Sequence, residues 1–98
     1  MRWEIGKKEN ERELFRLASL ILTGEARGKK REFKKLFLDV AKTLGPCVHA
    51  NMCKDVADNL DLHTESGQIV AANVLRDCAR LLYQQREEAH GKADQAHP

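Results

Sequence analysis

Apolar residues in this chain recur every three or four positions, and no segment alternates them with polar residues for the length of a strand. That spacing matches the 3.6-residue turn of an α-helix, not the two-residue pleat of a sheet. Proline, which breaks helices, stands only at Pro46 and Pro98. The pattern predicts an all-α fold: a compact bundle of about four helices, with the C-terminal helix as the candidate seam of a dimer.

The first run covers roughly residues 8–23, with Leu14, Leu17, Ala18 and Ile21 on one face and Phe15 and Leu22 on its shoulder. Glu9, Glu11 and Glu13 crowd its start, where the helix dipole favours negative charge. Gly24 is the expected stop. The second run, about 29–44, places Phe33, Leu36, Phe37, Val40 and Leu44 in a stripe. Gly45-Pro46 ends it and can open the third, since glycine tolerates a cap and proline suits the first helical position. The third stripe reads Val48, Met52, Val56, Leu60, and Leu62-His63-Thr64 reads as a link whose Thr64 could cap the next helix.

The fourth run, roughly 65–88, carries Ala71, Ala72, Leu75, Cys78, Ala79 and Leu82 on one face and Val70, Val74 and Leu81 on another. A helix apolar on two sides is either central in its fold or shared with a partner. Residues 89–98, "AHGKADQAHP", have no apolar anchor and are expected to form a mobile polar tail after a single helical domain over 1–88.

Ninety-eight residues, 42% hydrophobic and 33% charged, suit one globular core. With 17 Lys and Arg against 15 Asp and Glu, total charge does not imply a nucleic-acid or membrane partner. One segment could: "RGKKREFKK" holds Arg27, Lys29, Lys30, Arg31, Lys34 and Lys35 against a lone Glu32. Such a cluster can neutralise phosphates. On the helical wheel Arg31, Lys35 and Lys42 lie opposite the Phe33–Leu44 stripe, as an ordinary solvated face would.

Two nucleotide- and DNA-binding patterns fall short. Val40 to Gly45 resembles the first helix and turn of a helix-turn-helix, but Pro46 replaces an apolar turn residue. Asn51 and Lys54 then fall where a recognition helix buries apolar groups. "GEARGKK" has a P-loop's flavour, but its glycines are too close together and Lys30 stands where Ser or Thr should hold magnesium.

The segment "GPCVHANMC" gathers Cys47, His49 and Cys53, and His63 or Cys78 could approach through tertiary contact. Thiolate and imidazole suit zinc, but C-x-H-x3-C is not a common zinc spacing, and cysteines on apolar stripes behave as small hydrophobes. No metal or cofactor is expected. Cys47 at a helix N-terminus is the one thiol placed for reactivity. An odd cysteine count, no apolar leader in Met1-Arg2-Trp3-Glu4-Ile5 and no run of ~20 apolar residues favour a reducing, cytoplasmic setting without membrane insertion.

No catalytic constellation is visible, so an enzyme is not expected. The leading expectation is a small helical regulatory or adaptor protein that inhibits or modulates a partner by protein–protein contact, with homodimerisation as the simplest form. Its contact residues would be Val70, Val74, Leu81 and Tyr83. The alternative is a nucleic-acid-binding transcriptional regulator using residues 27–35.

Overall fold

A computed structural model describes residues 8–95. They form four α-helices: α1 Lys8–Leu22, α2 Lys30–Leu44, α3 Val48–Asp58 and α4 Glu65–Gln95. No strand occurs among the described residues. The fold is the all-α bundle that the periodicity predicts. α1 lies along α4, α2 packs on α3, and α3 packs on α4. The longest helix therefore carries α1 and α3, and α2 joins the fold through α3.

The stripes of α1 and α2 bury as expected. Leu14, Ala18 and Ile21 of α1 and Phe33, Phe37 and Val40 of α2 are in the core, with Leu17, Leu36 and Leu44 partly buried against it. The first face of α4, Ala71, Ala72, Leu75, Cys78, Ala79 and Leu82, is buried in full.

The α3 stripe differs. Its buried residues are Ala50, Cys53 and Ala57, whereas Val48 is 71% exposed and Met52 and Val56 are only partly buried. The helix is turned so that its small side chains face inward. Small residues let two helix backbones approach closely, and burying that face removes the larger ones from the contact. Leu60 and Leu62 then close the core from the connector.

Two further boundaries shift. Helix α3 begins one residue past Cys47, whose Sγ accepts the Ala50 N–H at 3.4 Å, so the cap is the cysteine and not Gly45. Gly45 instead ends α2 at φ 75°, a left-handed conformation suited to glycine. Helix α4 continues seven residues beyond the expected stop at 88, through 89–95 to Gln95. The reason is local: Ala89, Lys92, Ala93 and Gln95 are good helix formers, and no proline intervenes before Pro98. The last part of the expected tail, 96–98, lies outside the described residues.

The α3–α4 junction is tied by a chain of hydrogen bonds. The Asp61 carboxylate accepts from the backbone N–H of His63 at 2.9 Å and of Thr64 at 3.3 Å, and from the Thr64 hydroxyl at 2.7 Å. Thr64 Oγ1 in turn accepts the Gly67 N–H at 3.1 Å and caps α4, as its position predicts. Buried Gln68 donates from Nε2 to the Leu62 carbonyl at 2.8 Å. A Cβ on Gly67 would lie 2.3 Å from the Asp61 carbonyl oxygen, so the turn admits only glycine there.

Helix propensity alone would make Gly67→Ala stabilising by ~1 kcal/mol. The close approach reverses the sign: urea denaturation should show a loss of about 1–3 kcal/mol, as for overpacking. The hydrogen bonds from Thr64 and the His63 N–H hold Asp61 below the ordinary carboxylate range. Its contribution is therefore present at neutral pH and lost as pH falls through its depressed folded value. Melting temperature should fall on acidification below about pH 4, and Asp61→Asn should flatten that fall.

Candidate functional site

Among the residues expected to form a contact row, the structure separates the members. Val70 is 55% exposed and Tyr83 is 50% exposed, but Val74 is in the core and Leu81 is half-buried. Val74 is thus corrected from contact to core residue. At 100° per residue it sits between the buried arc centred on Leu75, Cys78 and Leu82 and the border marked by Val70, and the core closes over it.

Val70 and Leu81 mark one border of the buried arc of α4, and Ile69 and Tyr83 mark the other. On the Tyr83 side the border meets Phe15 of α1, itself 41% exposed. Phe15, Tyr83, Glu11, Arg80 and Gln84 line a shallow groove of about 400 Å³. Arg80 is held at its edge by Asp77 at 3.1 Å. The aromatic side chains supply apolar body and the rim supplies charge, the composition of a protein-contact surface. Periodicity flagged Phe15 only as a shoulder of α1, and its pairing with Tyr83 arises from α1 lying along α4.

On the Val70 side, a second groove of about 370 Å³ runs between α3 and α4, bounded by Asp55, Val56, Asn59, Asp61 and Val70. Its rim is acidic. The opposite charge collects on α2 and the turn before it, where Arg27, Lys29, Lys30, Arg31, Lys34 and Lys35 are all exposed. Arg31, Lys34, Lys35 and Lys42 surround Leu38, which is also exposed, on the side away from buried Phe33, Phe37 and Val40.

The sulfur and imidazole residues do not converge on one point. Cys47 and His49 are half-buried near the start of α3, and His63 is exposed in the connector. Among the described residues, no group of three or more His, Cys, Asp or Glu side chains is placed to hold a metal ion. Cys53 and Cys78 do meet: both are fully buried, and their Sγ atoms are 3.2 Å apart. Their hydrogen bond, in which either sulfur can donate, favours a single thiolate in the pair, while burial and like charge oppose a second. No described helix is long and apolar enough to cross a membrane. Comparison of the chain with protein-family models, curated proteins and solved structures gives no match.

Proposed function

We propose that this chain is a small helical adaptor or regulatory module that acts by protein–protein contact through the Phe15–Tyr83 groove between α1 and α4. The observation that carries this reading is the meeting of two half-exposed aromatic side chains around one apolar groove with a charged rim. Water-exposed aromatic area is a standing source of binding free energy, and a few such anchors dominate most interfaces. A second copy of the chain is the first partner to test. The net charge of +2 gives little self-repulsion, and a shared helix border readily forms a two-fold contact.

Sedimentation equilibrium should find a dimer at micromolar concentration. Phe15→Glu with Tyr83→Glu should raise its Kd at least about 30-fold, the loss expected for an anchor worth ~2 kcal/mol. Because both residues are half-exposed, far-UV circular dichroism of the variant should match the parent. A parent that remains monomeric to about 100 µM would remove self-association, since a contact that weak carries little more than 5 kcal/mol.

The basic face of α2 supports a second reading, a nucleic-acid-binding regulator. Four of its cations share one exposed side of a single helix. If those four contact phosphates of duplex DNA, log K should fall against log salt with a slope near −3.6. Charge reversal of Arg31, Lys34 and Lys35 should abolish binding, and absence of binding to DNA or RNA at low salt rejects the reading.

A further inference from the structure

We propose that Cys53 and Cys78 form an oxidative modification site, at which a small hydroperoxide converts the two thiols into a disulfide that staples α3 to α4. The sulfurs stand 3.2 Å apart, closer than ordinary sulfur–sulfur van der Waals contact. A disulfide requires about 2.05 Å, so the remaining approach of a little over 1 Å can be shared by small rotations of two side chains. α3 packs against α4, and its other buried residues are the small Ala50 and Ala57. Burial of both sulfurs excludes bulky oxidants and leaves a molecule the size of hydrogen peroxide, admitted as α3 opens locally. α3 is the shortest helix of the four described, at 11 residues.

The chemistry balances within this pair and one peroxide. The Cys53 thiolate attacks the peroxide; an S–O bond forms, the O–O bond breaks, and the departing hydroxide leaves as water after taking a proton. Cys53 is then a sulfenic acid. The Cys78 sulfur attacks the Cys53 sulfur, the S–S bond forms, and the S–O bond breaks with loss of a second water that carries the Cys78 proton. Two thiols lose two electrons and two protons, and one hydrogen peroxide becomes two waters. Either sulfur can donate in this contact, and the same balance holds with Cys78 as the attacking sulfur. Cys47, half-buried at the cap of α3, is the competing thiol.

The test treats the folded chain with hydrogen peroxide, alkylates remaining thiols and maps the products. Trypsin releases residues 43–54, which contain both Cys47 and Cys53, and residues 77–80, which contain Cys78. Cys47→Ser removes that ambiguity. In both the parent and Cys47→Ser, peptide 43–54 should be joined to 77–80 within one chain. Two thiols should be lost and then recovered by dithiothreitol, and the melting temperature should rise by about 10 °C on oxidation. Cys53→Ala should show no such link. Retention of both thiols, sulfinic acid without a link, a link between chains, or a link from Cys47 that persists in Cys53→Ala would each overturn the proposal. Should Cys53→Ala fail to fold, the Cys47→Ser map decides alone.

Discussion

α1 lies along α4 and α2 packs on α3, so the contact of α3 with α4 is what joins the two helix pairs into one molecule. The buried residues of α4 include Ala71, Ala72 and Ala79, and those of α3 are Ala50, Cys53 and Ala57. Side chains of this size let the helices approach until sulfur touches sulfur at Cys53 and Cys78. The same approach explains what is left outside. Val48 turns to solvent and Met52 and Val56 stay at the margin because a helix can present only one face to a close neighbour.

Such a contact holds only if the chain enters and leaves α3 at defined angles. At entry, Gly45 takes a positive φ and Cys47 caps the first turn with its sulfur. At exit, Asp61 gathers three donors from His63 and Thr64, Thr64 caps α4, and Gln68 satisfies the Leu62 carbonyl. Leu60 and Leu62 are buried while His63 and Thr64 stay exposed, so the connector is anchored to the core as well as hydrogen-bonded. Gly67 is compulsory because the Asp61 carbonyl occupies the space its side chain would need.

The surfaces available for recognition are what this packing leaves over. α1 covers one flank of α4 but brings Phe15 to the rim beside Tyr83, so an apolar groove survives between them. α2 turns its aromatic residues inward and therefore its cations outward, with Leu38 among them. The basic face follows from the pattern of one helix, whereas the groove does not. The groove needs two helices side by side, and the basic face needs the opposite stripe to be buried.

The helical class, the number of helices, the core stripes of α1 and α2, the broad face of α4 and the Thr64 cap were all legible in the sequence. Each depends on period 3.6 or on a residue's local hydrogen bonding. The facing of α3 was not, because Val48-Met52-Val56 and Ala50-Cys53-Ala57 are both helical stripes. Hydrophobicity favours the first, and only a neighbour that rewards close approach selects the second. Val74 departs from its expected place for the same reason: a position at the edge of a stripe is core or contact according to what lies against it. The sequence by itself determined which segments coil and which faces are apolar. The tertiary structure alone decided which of those faces met, since burial, the Cys53–Cys78 contact and the Phe15–Tyr83 groove are properties of pairs of helices.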